Sequence, residues 1–383
     1  MRIAIFDYQI TEMSPVGRCH LTLLRGLCDT HDFTVFATSF DNPRPDRIAF
    51  VRVPLPRLPL AVLFVAFHLM APLVFLRARL SGTRRFDRVQ GVESNCLLND
   101  VAYVHFCHRA FLAEHWHQAR PRGLRGVARW GDHWLHALIE PVVLRRCGVI
   151  VVPSHGLAAE LRRYYPQTAP RIKVIANAVA VDHFRPDPNF DRVAFRRQRG
   201  YDTDDVVLCF VALGHFERKG LPCLIAAMTR LAAPQLKLLV VGGTKSTVAA
   251  WCREINKRGL GDRVVFAGLQ RDVRPFLQAA DGFILPSVYE IFPLVGLEAA
   301  AANRPLIVTP VHGLSDIVRD GENAIVIEAT ADSVAAALSA FLGMSAGARD
   351  AMGVAAGCSV SVFNEENFVA KWREIYSVAV VSA

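Results

Sequence analysis

The stretch Tyr289-Glu-Ile-Phe-Pro-Leu-Val-Gly-Leu-Glu-Ala-Ala-Ala-Ala-Asn-Arg-Pro305 follows an apolar strand, Gly282–Leu285. Because proline is tolerated in the first turn of a helix, the run 294–302 predicts a helix. Glu290 would then lie in the strand-to-helix loop, and Glu298 would lie inside the helix. This loop follows the carboxyl end of the strand, and open α/β sheets bind ligands at the carboxyl ends of their strands. The simpler interpretation is that both are ordinary surface glutamates. The rest of the chain decides between that interpretation and a ligand-binding pair.

The composition describes a globular protein with sizeable cores. The 383 residues are 52% hydrophobic and 21% charged, a length that favours two domains of nearly equal size. The nine cysteines are odd in number and lack CxxC spacing, which is typical of reduced thiols in a cytosolic protein. The N-terminus predicts a strand and no signal peptide.

The net charge of +9 is unevenly distributed. Residues 1–190 contain 24 Lys and Arg against 15 Asp and Glu, whereas the remaining residues contain 20 of each. The first half should therefore face an anionic partner, which could be a membrane surface, a phosphorylated acceptor or nucleic acid. Nucleic acid is the least favoured, because no nucleic-acid-binding motif is present.

The first half begins with a predicted strand, Ile3–Phe6, a loop over 14–18 and a helix from His20 to about Leu27. Gly17 lies in that loop. A strand, a glycine turn and a helix can hold an anion, because the first helical amides are unpaired. A simple turn explains the pattern equally well.

The segment Leu58–Leu76 has no charged side chain and is long enough to span a membrane. Prolines and a histidine interrupt it, and strand–helix units continue after it, so a buried or interfacial helix is preferred to a spanning one. The arginines that flank it would contact anionic lipid: Arg52, Arg57, Arg77, Arg79, Arg84 and Arg85.

Histidines and aromatic residues are concentrated in the segment 101–134. The spacings fit no standard zinc pattern, so no metal site is predicted. A strand ending in Tyr103-Val-His-Phe-Cys-His-Arg109 would instead present His105 or His108 at the ligand edge of the sheet. Structural histidines with ordinary hydrogen bonds are the alternative for each.

The second half restarts the alternation with an apolar strand over 206–213. The loop Gly214-His-Phe-Glu-Arg-Lys-Gly220 follows it and places Arg218 beside Lys219. Two adjacent cations at the carboxyl end of a strand suit a diphosphate, although a solvated basic turn is the alternative. Further strands are predicted over 236–241, 264–267, 306–308 and 324–327, with helices near 332–342 and 365–380.

An ordered set of motifs covers most of the chain from 145 to 330. It comprises Ile150-Val-Val-Pro-Ser154, Lys173-Val-Ile-Ala-Asn177 before Phe184-Arg-Pro186, Arg218-Lys219-Gly220, the pair Glu290 and Glu298 with Ala299 and Pro305, and Gly313 with Asp316-Ile-Val-Arg-Asp-Gly321. On these motifs the chain resembles the retaining glycosyltransferases of family 4. The resemblance implies the GT-B fold, an α/β architecture of two facing Rossmann-like domains with a C-terminal helix that crosses back to the first.

The resemblance also implies domains and roles. Residues 1–188 would bind the acceptor, 189–361 would bind the nucleotide-sugar, and 362–383 would pack back on the first domain. Glu290, with His108 or His105, would contact the transferred sugar or act in catalysis. The donor would be bound by Gly17, Gly214, Arg218, Lys219, Leu269, Leu294, Val295 and Glu298.

The sequence departs from the family pattern at three places. Pro293 stands where many relatives have glycine, and proline has no N–H to donate. Asn177-Ala-Val-Ala180 replaces the usual Asn-Gly-Val-Asp, and the N-terminal loop has one glycine where a pair is common. None of these departures removes a charged catalytic group.

The expected function is that of a retaining, metal-independent hexosyltransferase with no cofactor besides its donor. It would move a sugar from a nucleotide-diphosphate sugar to a glycan or lipid-linked acceptor in surface polysaccharide, lipopolysaccharide or glycolipid synthesis. It would act in the cytoplasm, with peripheral contact to the inner face of the cell membrane as a further expectation. The alternatives are a nucleotide-sugar epimerase of the same fold and a non-catalytic membrane-binding scaffold.

Overall fold

The computed structural model describes residues 1–56, 59–80, 85–120 and 123–377. The chain forms two compact units. The first contains Met1–Ala178 and the chain from Glu365 onward, and the second contains Val179–Asn364.

The first unit is built on a seven-stranded parallel sheet in the order β5-β3-β1-β6-β7-β8-β9. A separate two-stranded sheet pairs β2 with β4. The strands are β1 Arg2–Phe6, β2 Gln9–Ile10, β3 Asp32–Ala37, β4 Ser39–Phe40, β5 Ala49–Arg52, β6 Arg88–Val92, β7 Val101–Tyr103, β8 Val149–Val152 and β9 Ile172–Val174.

The helices of this unit connect the parallel strands. They are α1 Pro15–Leu27, α2 Leu60–Leu80, α3 His108–Ala110, α4 Trp116–Ala119, α5 Leu124–Arg146 and α6 His155–Tyr164. A π-helical turn, Phe111–His115, joins α3 to α4, and a 3₁₀ turn, Pro166–Arg171, precedes β9.

Helix α1 begins earlier than the sequence predicted. The expected loop over 14–18 is wrong, because Ser14 is the N-cap and its hydroxyl accepts a hydrogen bond from the Gly17 amide at 3.2 Å. Gly17 is therefore buried in the first turn. A Cβ there would lie 2.4 Å from the backbone oxygen of Thr11, so the close approach of that loop requires glycine.

Helix α2 packs one face into the first unit. Phe67, Ala71 and Phe75 are buried against Phe6 and Phe36 of the sheet. The helix continues to Leu80, beyond the predicted end at Leu76. Because its inner face completes this aromatic core, α2 could not leave the sheet without exposing it.

Helix α15, Glu365–Ser377, belongs to the first unit, as the fold class predicted. Trp372 is fully buried, and its ring lies 4.9 Å from that of Tyr103. The Tyr376 hydroxyl donates to the side-chain oxygen of Gln90 at 2.5 Å. The last predicted turn, residues 378–380, lies outside the described residues.

The second unit has a six-stranded parallel sheet in the order β12-β11-β10-β13-β14-β15. The strands are β10 Val206–Val211, β11 Leu236–Val241, β12 Val264–Gly268, β13 Gly282–Leu285, β14 Leu306–Val308 and β15 Ala324–Val326. The helices are α7 Val181–Phe184, α8 Arg192–Arg197, α9 Leu221–Arg230, α10 Lys245–Lys257, α11 Arg274–Ala279, α12 Leu294–Ala301, α13 Ala331–Gly343 and α14 Ala346–Ser359. A 3₁₀ turn, Ser361–Phe363, ends the unit.

The chain passes from the first unit to the second after Ala178, ten residues before the expected boundary at 188. The Val179 amide donates to the Phe363 carbonyl at 2.8 Å, and Asp187 donates to Gln278 at 3.2 Å. These contacts tie residues 179–188 to the second unit. The assignment of acceptor binding to one unit and donor binding to the other stays a prediction.

Replacing Trp372 with alanine should destabilise the first unit. The change leaves a large cavity between α15 and β7, which typically costs about 3–5 kcal/mol. Urea unfolding would measure it, with Lys371→Ala on the exposed face of the same helix as the control. Equal stability of the two variants would contradict the packing role of α15.

Candidate active site

The strand order of the second sheet reverses between the adjacent parallel strands β10 and β13. From β10 the chain moves outward to β11 and β12, and it then returns to β13 on the other side of β10. The loops after β10 and β13 therefore diverge and leave a crevice at the carboxyl edge, where α/β sheets bind ligands. Arg218 and Lys219 follow β10, and Glu290 follows β13.

The loop that carries the two cations is held tightly against the loop after β13. Gly220 has a φ of 84°, and a Cβ there would lie 1.9 Å from the Pro286 carbonyl oxygen, so only glycine fits. The Val288 amide donates to the Arg218 carbonyl at 2.9 Å. These contacts place the side chains of the two loops side by side.

Glu290 lies between the two cations. Its Oε1 is 2.7 Å from Nζ of Lys219 and 3.5 Å from Nη1 of Arg218. The same Arg218 nitrogen donates to the Tyr289 carbonyl at 3.1 Å. Glu290 is buried and Lys219 is mostly so. Two cations against one carboxylate leave one excess positive charge, which suits an anionic ligand.

The charges in this cluster depend on one another. Burial would raise the pKa of Glu290, but the charges of Lys219 and Arg218 outweigh it and hold that pKa below its usual value. Burial lowers the pKa of Lys219 against the attraction of Glu290, and the like charge of Arg218 lowers it further. Glu290 is therefore ionised at neutral pH.

Helix α12 begins at the same edge of the sheet. Pro293 is its N-cap, and the Pro293 carbonyl accepts from the Gly296 amide at 2.9 Å. The proline thus removes no donor from the first turn, and the amides of Leu294 and Val295 stand at the helix N-terminus, where anions bind. Glu298 is buried within α12.

Two other predicted donor-binding residues lie in loops at this carboxyl edge. Gly214 is half-buried after β10, and a Cβ there would meet no described atom within 4 Å. Leu269 is exposed directly after Gly268, whose carbonyl accepts from the Gly242 amide at 2.7 Å. The packing around these two residues does not require glycine at 214 or leucine at 269. Their role in donor binding stays a prediction.

The histidines of the first unit differ in their surroundings. His105 is buried beside Tyr103, with ring centroids 4.1 Å apart, and burial lowers its pKa to about 3. His108 begins α3, and its amide donates to Glu140 at 2.7 Å. Burial also lowers the pKa of His108 to about 3, so both rings are neutral at physiological pH.

His108 belongs to a cluster that the sequence did not predict. Its Nδ1 lies 2.9 Å from Nδ1 of His133, and its Nε2 lies 3.5 Å from Oε2 of Glu93. The His136 ring stacks on it at 4.2 Å, and the Ser94 hydroxyl lies 3.1 Å from Nδ1 of His136. Glu93 follows β6, whose short mixed sequence, Arg-Val-Gln-Gly-Val, gives no clear strand pattern, so no signal identified it.

Glu93, His108 and His136 could be considered as a metal site, since their ligand atoms lie within 4.8 Å of one another. The two imidazole rings are parallel to within 6°. An imidazole ligates a metal in its own ring plane, so two stacked, parallel rings cannot share one ion. The geometry of this cluster therefore does not fit a metal.

The comparisons with known proteins agree with this architecture. Residues 16–183 match the family model described as Glycosyltransferase Family 4, and residues 204–343 match that described as Glycosyl transferases group 1. An uncharacterised glycosyltransferase of Methanocaldococcus jannaschii is 30% identical over 208 residues, 52% of each chain. The chain spans about half the length of the curated relatives it matches.

Two solved structures share the fold. One is WaaG, a glycosyltransferase involved in lipopolysaccharide biosynthesis, with a TM-score of 0.78 at 18% identity over 98% of this chain and 100% of that one. The other is Anabaena HepE in complex with UDP-glucose, with a TM-score of 0.75 at 17% identity over 98% and 99% of the two chains. The chain therefore consists of a family 4 glycosyltransferase domain followed by a group 1 glycosyl transferase domain, and it has the GT-B fold.

Proposed function

We propose that the protein transfers a sugar from a nucleotide-diphosphate sugar to a hydroxyl group of an acceptor, with retention of configuration and without a metal. The observation that carries this proposal is the cluster of Arg218, Lys219 and Glu290 at the β10–β13 reversal. Its excess positive charge and its position suit a diphosphate.

Donor binding would exchange the partners within the cluster. The diphosphate oxygens replace Glu290 as the main partners of Lys219 and Arg218, and the amides of Leu294 and Val295 donate to the phosphate at the N-terminus of α12. Glu290 then accepts hydrogen bonds from hydroxyls of the sugar, and Glu298 accepts them from the ribose.

In the reaction, the bond between C1 of the sugar and the diphosphate oxygen breaks with both electrons going to the diphosphate. The acceptor oxygen bonds to C1, and its proton passes to the departing diphosphate oxygen. Negative charge develops on the leaving group, and fixed cations and amides aimed at that charge lower the barrier. Lys219 and Arg218 supply this stabilisation from side chains that the fold already holds in place.

The comparisons support the class of donor and acceptor. HepE was solved with UDP-glucose, and WaaG takes part in lipopolysaccharide biosynthesis. A nucleotide-sugar donor and a surface glycan or glycolipid acceptor are the corresponding proposal for this chain. A nucleotide-sugar epimerase of the same fold would consume its substrate without any acceptor, so dependence on an acceptor distinguishes the two.

The outer surface of the first unit supports an acceptor at a membrane. Two neighbouring helices, α2 and α5, are in contact, and the rings of Phe64 and His136 lie 4.0 Å apart. Each exposes apolar side chains at a spacing of three or four residues. In α2 these are Val62, Val65, Leu69, Leu73, Leu76 and Leu80, and in α5 they are Leu124, Val127, Trp130, Trp134, Leu138 and Val142.

We call these twelve side chains the apolar stripes. Among the described residues, Ala61–Leu80 is long and apolar enough to cross a membrane, but its inner face is packed into the sheet. Attachment in the plane of the membrane interface fits this packing better than spanning. Arg77, Arg79, Arg125 and Arg129 adjoin the stripes in sequence and suit anionic lipid. Arg57 and Arg84 lie outside the described residues.

Glu290→Gln should separate binding from transfer. Loss of a charge-assisted hydrogen bond to the sugar should lower kcat/KM for transfer by about 10- to 100-fold. Affinity for UDP should hold or rise, because Lys219 and Arg218 lose their competing carboxylate. Calorimetry and a radiolabelled transfer assay would measure the two effects.

The control for this variant is Glu217→Gln, an exposed carboxylate in the same loop, which should change neither quantity. A Glu290→Gln enzyme with weakened UDP binding and a lower Tm would show that Glu290 serves only the fold. Consumption of donor at equal rates with and without acceptor would favour the epimerase.

The double variant Leu69→Gln, Leu73→Gln should weaken membrane binding by at least about 10-fold, since each leucine contributes roughly 1 kcal/mol or more when its side chain leaves water. Both side chains are more than 60% exposed, so the fold should be unaffected. Sedimentation with phosphatidylglycerol vesicles at low salt is the measurement. Val193→Gln, an exposed valine in the second unit, is the control. Absence of wild-type binding would contradict the proposal.

A further inference from the structure

The strand order of the first sheet also reverses, between the adjacent parallel strands β1 and β6. The chain moves from β1 outward to β3 and β5 and then returns to β6 on the other side of β1. Asp7 directly follows β1, and Glu93 directly follows β6. The two carboxyl groups therefore flank the crevice that this topology creates at the carboxyl edge.

The backbone at Glu93 is strained. Its φ is 49°, a left-handed conformation that costs a residue with a Cβ roughly 1–2 kcal/mol. The Glu93 amide donates to the Tyr103 carbonyl at 3.0 Å, which holds this conformation in place. Such strain is concentrated at functional sites. The side chain that it positions reaches Nε2 of His108 at 3.5 Å.

Asp7 is a second carboxyl group at the same place, and it is buried. Its Oδ1 accepts from the Tyr8 amide at 2.7 Å. Burial, with the nearby charge of Glu93 as a smaller cause, raises the pKa of Asp7 to about 8 against the hydrogen bond from Tyr8. Burial also raises the pKa of Glu93. The pair therefore retains a proton near neutral pH and can both donate and accept hydrogen bonds.

Several polar atoms around this pair have no hydrogen-bond partner within the part of the chain that the structure describes. They are the Tyr8 hydroxyl, Oδ1 of Asn95 and Oδ1 of Asp132. Asn95 is almost completely buried, and its side chain hydrogen-bonds Asp7. Buried polar atoms are rarely left unsatisfied in native proteins, so such a group calls for a hydroxyl-bearing ligand or water.

The chemistry of this cluster is selective. Two carboxyl groups that share a proton can donate to and accept from hydroxyls, but they repel a phosphate. This contrasts with the reversal point of the second unit, where two cations lie beside one carboxylate. The same topology thus presents opposite charge in the two units.

We propose that Asp7 and Glu93, which lies beside His108, form a binding site for neighbouring hydroxyls of a neutral sugar or polyol. The inference rests on the proposed function, since the hydroxyls would belong to the acceptor. It deepens that function by making the reactive end of the acceptor uncharged, with any phosphate or lipid bound elsewhere.

The test is saturation-transfer NMR on the whole protein with three neutral probes: methyl α-glucoside, methyl α-galactoside and myo-inositol. At least one should bind the wild type, and Glu93→Gln and Asp7→Asn should each weaken its binding by about 10-fold. Glucose 6-phosphate should not bind at this site. Asp29→Asn, an exposed carboxylate of the same unit, is the control and should bind as the wild type does.

A further variant separates binding from stability. Glu93→Gly relieves the left-handed strain, so its Tm should hold or rise while probe binding is lost. A merely structural role for Glu93 would give the opposite result, a lower Tm with binding intact.

The outcomes are independent of the donor site. UDP affinity should be unchanged in all these variants, and probe binding should persist even if no donor is ever transferred. Absence of binding by every neutral probe, or equal binding in wild type, Glu93→Gln and Asp7→Asn, would overturn the inference.

Discussion

The buried contact between Lys219 and Glu290 is the interaction on which the candidate site depends. Removing two charges from water costs several kcal/mol, and such a pair contributes little to stability by itself. Here Arg218 adds a second cation and the tight turn at Gly220 fixes the geometry. The arrangement is better explained by function, because Glu290 compensates the charge of Lys219, which would otherwise lie mostly buried without a counterion until an anion arrives.

Both units have the same reversal of strand order, but different side chains lie at it. In each parallel sheet the strand order reverses once next to the first strand of the unit, and charged groups follow both strands at that point. The second unit has Arg218, Lys219 and Glu290 there, which suits phosphate. The first has Asp7 and Glu93 beside a neutral His108, which suits hydroxyl groups. A transferase needs both chemistries, one for each substrate.

Features with local causes could be predicted from the sequence. The helix after Pro293 followed from the tolerance of proline in a first helical turn, and the basic loop followed from its position after an apolar strand. The start of α1 was mistaken, although Ser14 before Pro15 is an N-cap signal that points to the observed start. Helix α14 and strand β6 were missed, because the small residues of the first and the polar residues of the second give no clear period. The left-handed Glu93 and its contact with His108 depend on distant segments, which no local pattern encodes.

The proposed reaction depends on recognition of a diphosphate by Arg218 and Lys219. Calorimetric titration of the wild type and of Lys219→Met with uridine and with UDP tests it most directly, with GDP and ADP as further probes. A nucleoside diphosphate should bind the wild type at least about 10-fold more tightly than the nucleoside, since charge-assisted hydrogen bonds contribute roughly 1.5–3 kcal/mol each. Lys219→Met should remove most of that difference. An unchanged ratio in Lys219→Met would contradict the account.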